Sequence, residues 1–397
     1  MSTINEQNLF LCGMFRSGTT LLTKVLGAYP QIGTVTSPYM YFFKALKNEI
    51  YSQLGCDTSE DEPISGNHGW FNREYYNYLA KTDLMIPLSI EWREYIVKNT
   101  IDYAEKYCPL IISDLRKIEA PTYREFYDEL ISISANHYRD SDIRYFGTKE
   151  AWTESFVKPM SRIYPEMKFI FIIRDPRSVI ASKNINDDKQ PLLFLIRQWR
   201  ESVQYILHYT MHDLAADKAI YVQYEDLVTK PKEVGAKMCD FLGVPFDEVM
   251  VTGEKFIDGV KDKWNENSSF EDAGKGIYTS SLHRWKKTLS KKVLQAIETL
   301  CKPEMQLIGY EATQTHLPVI EQMNRFPEVD PETLTQWAIS LNIAKHLFSN
   351  DSMVEALQDE VIRANLLTLT SVSSDATQQV INKYFITDEY YQLLKSV

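Results

Sequence analysis

Asn8 to Lys24, NLFLCGMFRSGTTLLTK, is the stretch that decides how this chain folds. Leu9, Phe10 and Leu11 form a short apolar run, the pattern of a strand buried on both faces. Gly13 follows, then four residues, then Gly18-Thr19-Thr20 leading into the helical spacing of Leu21, Leu22, Val25 and Leu26. Strand, glycine-bounded loop and helix start together make an anion cradle, because the loop and the helix N-terminus present backbone N–H groups and the positive end of the helix dipole. The nucleoside-triphosphate version of this loop needs a Lys after the second Gly, to reach the β- and γ-phosphates. Thr19 stands there instead, and the cation within the loop is Arg16. The spacing therefore predicts a phosphate-bearing ligand that is not a nucleoside triphosphate.

Composition narrows the classes. The 397 residues have room for one large α/β domain with an appendage, or for two domains. A formal charge of −11 argues against non-specific binding to nucleic acid or to an anionic membrane. An anionic ligand must then be met by local cations and backbone amides. The sequence contains no apolar run long enough to span a bilayer, and MSTINEQN lacks the basic start and apolar core of a secretory signal. Cys12, Cys56, Cys108, Cys239 and Cys301 are scattered without CxxC spacing, so neither a disulfide framework nor a zinc or other metal site is expected, and a cytoplasmic location is. Cys12, beside the loop, reads either as strand packing or as a reactive thiol.

Further along, Gln31–Thr36 reads as a second strand, and about 38–142 as a mainly helical, aromatic-rich insert broken over Thr58–Gly69. Ile143–Gly147 reads as a strand, with Lys149 and Glu150 after it. Lys168–Ile173 (KFIFII) is a continuous apolar run, and the next helix has Asp175 as N-cap and Pro176 at its first position. A long helix over Leu192–His212, a strand at Ala219–Gln223, a helix over Lys232–Leu242 closed by Gly243, an irregular stretch Lys255–Tyr278 and a helix over Lys291–Tyr310 complete the pattern. Such alternation predicts an α/β fold with a parallel sheet covered on both faces. The domain expected is 1–310, followed by a helical C-terminal extension, 311–397, with apolar spacing at Leu334, Trp337, Ala338 and Leu341. That extension could pack on the core, cap the active site or join copies into a homo-oligomer.

Arg174 leaves the end of the KFIFII strand, and Ser182, eight residues on, reads as lying two turns into the next helix. A guanidinium fork with a hydroxyl suits a phosphate monoester. Alone, the pair reads more readily as a salt-bridge partner and an ordinary helix residue. With the Gly13–Thr20 loop, however, the chain from about Asn8 to Tyr310 resembles the sulfotransferases that use 3′-phosphoadenosine 5′-phosphosulfate (PAPS). The FRSGTTLL form looks more like the tyrosylprotein and bacterial branches than the cytosolic steroid and phenol enzymes. The resemblance implies a P-loop-type three-layer α/β/α fold and a set of roles. Arg16 with Ser17, Gly18, Thr19 and Thr20 would hold the 5′-phosphosulfate, and Arg174 with Ser182 the 3′-phosphate. Tyr224, in VQYEDLV, matches a family Tyr near the nucleotide. SSLHRWKKTLS resembles the loop that folds over the donor, with Arg284 or Lys286 as phosphate contacts. Lys149 matches the Lys that approaches the transferred sulfuryl group.

The acceptor must lose a proton, so a base is expected. In the tyrosylprotein-like branch a Glu follows the second strand, where this chain has Ser37-Pro38-Tyr39. In the cytosolic enzymes a His lies two residues beyond the strand Lys, where this chain has Ala151. The candidates are Glu150, which could instead simply pair with Lys149, and His68; His283 belongs with the donor loop. Tyr41, Trp70, Phe71 and Tyr75 are candidates to line the acceptor pocket. The expected activity is sulfuryl transfer from PAPS to a hydroxyl or amine of a small-molecule acceptor, releasing adenosine 3′,5′-bisphosphate. Two alternatives stand beside it: a P-loop nucleotide kinase, with Asp175 as its metal-binding carboxylate, and a non-catalytic sulfotransferase-like scaffold.

Overall fold

The computed structural model describes residues 7–55, 64, 73–138, 143–182, 192–264, 276–329, 350–371 and 374–397. They fall into two units, each discontinuous in sequence: Met1–Cys56, Asn77–Ile173 and Leu214–Thr279 in the first, and Asp57–Tyr76, Arg174–Asp213 and Ser280–Val397 in the second.

The first unit holds five strands, β1 (Gln7–Cys12), β2 (Ile32–Thr36), β3 (Tyr145–Lys149), β4 (Lys168–Ile173) and β5 (Ala219–Gln223). Their order is β2-β3-β1-β4-β5, and every neighbouring pair is parallel. Leu9 through Cys12, all of β3 and Phe169 through Ile173 are buried. Successive strand residues point to opposite faces, so the sheet is covered on both sides, as in a three-layer α/β fold. On one side Phe10 meets Phe43, from the helix Met40–Gln53, edge to face at 5.9 Å.

Register brings the strand ends together: Lys149 pairs with Leu11 of β1 and with Thr36 of β2. The residues that leave these three strands, Gly13, Ser37 and Glu150, therefore emerge at the carboxyl edge of the sheet, where open α/β sheets bind ligands. β3 starts two residues later than its hydropathy indicates. The N–H groups of Arg144 and Tyr145 both donate to Gln31 O, at 2.8 and 3.1 Å, so pairing begins at Tyr145. In consequence Lys149 is the last residue of the strand rather than part of a following turn.

In the second unit, Asp175 caps the helix Pro176–Ile180 by accepting from Arg177 N–H at 2.8 Å, and Pro176 opens it as expected. This helix is a single turn. Ser182 N–H turns back to Val179 O at 3.1 Å, so Ser182 lies just past the helix and not two turns inside it. The long helix runs over Leu192–His208 and widens into a π-turn at Tyr209–Asp213. The last helix expected in the core is two, Lys291–Leu300 and Lys302–Ile308, because Pro303 has no N–H to continue the ladder.

Helices Asn350–Thr368, Asp375–Tyr384 and Asp388–Lys395 pack in the same unit through buried polar contacts. Glu360 accepts from Arg197 Nε at 2.8 Å and from Arg200 Nη1 at 2.7 Å, Arg363 pairs with Glu304, and Ile386 N–H donates to Gln204 Oε1 at 3.0 Å. The apolar positions Leu334, Trp337, Ala338 and Leu341 lie outside the described residues. Among the described residues no helix is long and apolar enough to cross a membrane.

Candidate active site

The loop after β1 is built from three backbone requirements. Ser17 N–H returns to Met14 O at 3.1 Å, which turns the chain. Gly18 then serves as N-cap of the helix Thr19–Gly27 at φ 98°, a left-handed conformation that glycine adopts without strain. A Cβ at Gly18 would also meet the Tyr224 ring at 2.4 Å, so the Tyr at the end of β5 packs directly on the loop backbone. No side chain caps this helix, so its first-turn N–H groups face the loop, the arrangement that receives a phosphate. Arg16, Ser37 and Trp152 are non-glycine residues held at φ 65°, 60° and 64°. Such positions cost roughly 1–3 kcal/mol each and gather at functional sites. The Phe15 and Trp152 rings meet at a tilt of 49° with centroids 4.3 Å apart, and the Trp152 backbone N–H donates to Gly13 O at 3.3 Å, which ties the loop to the turn after β3.

Lys149 and Glu150 are 6 % and 4 % exposed, so neither is a surface residue. Lys149 Nζ donates to Ser37 Oγ at 2.8 Å. Glu150 Oε1 accepts from Tyr39 N–H at 2.6 Å, and Met40 N–H adds to its stabilisation. The carboxylate thus caps the helix Met40–Gln53, whose own N-cap, Tyr39, supplies no side-chain bond. Burial lowers the Lys149 ammonium pKa, against the pull of Glu150. Burial pushes the Glu150 carboxyl up to about 7, opposed by Lys149 and by the two helix amides. A buried carboxyl raised in this way beside a buried ammonium has the chemistry that a base for a neutral-pH reaction would need.

Because the folded value of Glu150 lies above the ordinary 4.5, the native state binds this proton more tightly than the unfolded chain. The resulting stabilisation is fully present below pH 4.5 and is lost as pH rises through about 7. Glu150→Gln stays neutral, so thermal denaturation between pH 4 and 8 should show wild-type stability falling relative to the variant. Parallel curves would contradict the raised value.

Cys12 is fully buried, and burial holds its thiol well above the ordinary range with Glu154 adding to the effect, so it is strand packing and not a reactive group. Two residues that the sequence reading passed over stand beside the pair. The Tyr103 phenol is raised by burial and by Glu150 and faces Ser37. Lys24, in the last turn of Thr19–Gly27, is brought down to about 8 by burial and by Lys149, with Asp258 acting the other way. Helical spacing identified both only as helix residues. Tyr41 is half-buried and meets Tyr103 with centroids 6.3 Å apart, whereas Tyr75 is buried. His68, Trp70 and Phe71 lie outside the described residues.

In the second unit the structure brings Arg174 together with the expected donor loop. Arg174 Nη2 donates to Ser281 O at 3.2 Å, while its carbonyl accepts from Trp199 Nε1 at 2.8 Å. Ser178 Oγ donates to Leu282 O at 3.1 Å, and Trp285 packs on Ala181 under the Arg177 guanidinium, 4.3 Å from the ring centroid. Ser182 is buried, Arg284 half-buried and Lys286 exposed, its Nζ 5.4 Å from the Trp285 ring. His283 is exposed. Asp175 is committed to Arg177, at 2.7 Å, which also pairs with Glu298 at 2.7 Å. A carboxylate neutralised in this way is a poor metal ligand, which counts against the kinase alternative.

Residues 8–248, more than half of the chain, match a family model described as "Sulfotransferase family". The protein-tyrosine sulfotransferase of Drosophila melanogaster is 25 % identical over 158 residues, covering 38 % of this chain and 31 % of the fly protein. Carbohydrate sulfotransferase 3 of Tetronarce californica is 24 % identical over 182 residues, 39 % of each chain. Even for a Caenorhabditis elegans relative the match spans 65 % of the relative, so the chain covers less than two thirds of the length of these proteins. Among solved structures, the sulfotransferase domain of the Synechococcus PCC 7002 olefin synthase superposes with a TM-score of 0.49 at 19 % identity, covering 79 % of this chain and 98 % of that domain.

Proposed function

The chain belongs to the sulfotransferase family, and from that premise we propose that it transfers a sulfuryl group from PAPS to an acceptor hydroxyl. In this reaction the bond between sulfur and the 5′-phosphate oxygen breaks, and its electron pair leaves with adenosine 3′,5′-bisphosphate. A bond from sulfur to the acceptor oxygen forms, and the acceptor proton passes to Glu150. Arg16 and the amides of Ser17, Gly18, Thr19 and Thr20 hold the 5′-phosphate, with Tyr224 beside them. Lys149 stabilises the negative charge that builds on the leaving oxygen. Charge stabilisation of this kind is the main work in such a transfer, as in phosphoryl transfer. Arg174 and Ser182 bind the 3′-phosphate, and Arg284 or Lys286 adds a further phosphate contact.

One observation supports this reading above the others. A buried Lys and a buried carboxyl titrating near 7 stand side by side at the carboxyl edge of the sheet, at the end of the strand paired with the phosphate-loop strand. The relatives are named for protein tyrosine and for carbohydrate, so the acceptor is as fit to be a tyrosine side chain or a sugar as the small molecule expected from the sequence. A hydroxyl is common to all three. Incubation with [35S]PAPS and a panel of phenols, sugars, amines and tyrosine peptides tests the proposal. Label should appear in a hydroxyl acceptor in step with bisphosphate release. Bisphosphate binding without label in any acceptor would favour the scaffold instead.

The 3′-phosphate assignment has its own test. A charge-assisted bond contributes about 1.5–3 kcal/mol, so Arg174→Ala should weaken PAPS about 10- to 100-fold. Adenosine 5′-phosphosulfate, which has no 3′-phosphate, should be affected little. Equal losses for both donors would remove Arg174 from that role.

A further inference from the structure

Where the sequence reading finds a carboxylate missing, at Ser37-Pro38-Tyr39, the structure places a turn that grips Lys149 and Glu150 by three hydrogen bonds. Ser37 N–H donates to Lys149 O at 2.9 Å, Lys149 Nζ donates to Ser37 Oγ at 2.8 Å, and Tyr39 N–H donates to Glu150 Oε1 at 2.6 Å. The first two engage one residue at both ends, main chain and ammonium. Ser37 does this at φ 60°, a conformation that a serine adopts at a cost and a glycine does not. A buried ammonium needs acceptors for its protons, and Ser37 Oγ provides one in a site where the neighbouring carboxylate is already turned toward helix amides.

We propose that Ser37 is a positioning residue for sulfuryl transfer, holding Lys149 charged and aimed from the end of β3. The proposal rests on the sulfotransferase reading for the work given to Lys149. The grip itself is a property of the free protein. Ser37 acts through Lys149 and is assigned no contact with substrate. The groups facing Lys149 are Glu150 at the end of β3, Cys108 at the end of the helix Ile90–Tyr107, and Lys24 on the helix Thr19–Gly27. Tyr103 faces Ser37 from the helix Ile90–Tyr107, and Asp258 acts on Lys24. Lys24 and burial favour the neutral amine, while Glu150 and the Ser37 hydroxyl favour the ammonium; burial keeps the Cys108 thiol uncharged. Removing the hydroxyl should therefore shift Lys149 toward the neutral form.

The test is a carbon-13 NMR titration of lysine side chains in the full chain without donor, with the Lys149 signal assigned by its loss in Lys149→Arg. In both Ser37→Ala and Ser37→Gly the Lys149 midpoint should fall by about one pH unit, a tenfold rise in neutral amine at a given pH. Ser37→Gly should keep or raise the melting temperature, since glycine relieves the backbone, and this separates loss of the hydroxyl from damage to the fold. In transfer assays both variants should lose kcat with donor KM held. An unmoved midpoint in both variants overturns the proposal, whether or not stability changes. If the wild type transfers no sulfuryl group, the functional reading fails while the titration still decides the role of Ser37.

Discussion

Lys149→Ala should slow sulfuryl transfer by about 10²–10³-fold, the loss typical of removing one preorganised charge-stabilising donor from a water-poor site. Donor affinity should change little, because the groups assigned to hold the phosphates are Arg16, the loop amides, Arg174 and Ser182. The loss then falls on kcat and on kcat/KM alike, the signature of an interaction made in the transition state. Arginine should rescue poorly. Lys149 occupies a slot in which it is 6 % exposed, and a planar guanidinium cannot present one compact donor to Ser37 Oγ and one to a leaving oxygen. A second signature accompanies the slower rate. Lys149 is one of the groups that hold the Glu150 carboxyl down against burial, so without it that carboxyl rises further above 7. Since the base works only when ionised, the rising limb of the pH–rate profile should move to higher pH in the variant. Single-turnover kinetics over pH 6–9 reads both effects. A variant with unchanged rate and limb would place the chemistry elsewhere.

Glu360→Ala should destabilise the protein by about 3–5 kcal/mol, because it strands two buried arginines at once. Arg197 and Arg200, both in the long helix Leu192–His208, reach the two oxygens of this one carboxylate. Burial alone would raise the Glu360 pKa, but Arg200 and Arg197 overcome it and hold the carboxyl near 2. Arg197 is itself lowered to about 10 by burial, whereas Arg200 is raised by its share of the same carboxylate. Arg200 reaches both Glu360 oxygens, at 2.7 and 2.8 Å, and Arg197 donates to one of them at 2.8 Å. A depressed carboxyl contributes stability that is present above its ordinary 4.5 and is lost as pH falls toward 2. Wild type should accordingly lose stability steeply over that range, and the variant less. Denaturant unfolding at pH 7 and pH 3 measures both terms. A change below about 1 kcal/mol at pH 7 would mean that the network contributes little to holding the C-terminal helices in this unit.

Much of the sheet was legible because parallel strands buried on both faces write themselves as apolar runs. LFL and KFIFII each specify a strand, and Gly18 and Pro176 mark helix starts by backbone rules that need no tertiary context. Boundaries set by long-range pairing were not legible. The start of β3 is fixed by Gln31 O, more than a hundred residues away, so hydropathy placed it two residues early. The single-turn helix before Ser182 fails in the same way, because helical composition continues where the hydrogen bonds do not. At the site, Lys149 and Glu150 could be named from their place after a strand, yet the burial that raises the carboxyl, and the contacts to Ser37 and Tyr39, come from segments distant in sequence. Ser37 was noticed only as the place where a Glu is missing. A hydroxyl that holds a Lys from the end of the neighbouring strand, more than a hundred residues away in sequence, leaves no local pattern.

The phosphate loop, with Thr19 in place of Lys and Arg16 as its cation, is most directly tested by calorimetric titration of the full chain with adenosine 3′,5′-bisphosphate in metal-free buffer, beside ATP with and without Mg²⁺. The predicted result is saturable binding of the bisphosphate at one site without metal, with ATP at least tenfold weaker under both conditions. Tight Mg²⁺-dependent binding of ATP with no uptake of the bisphosphate would contradict it.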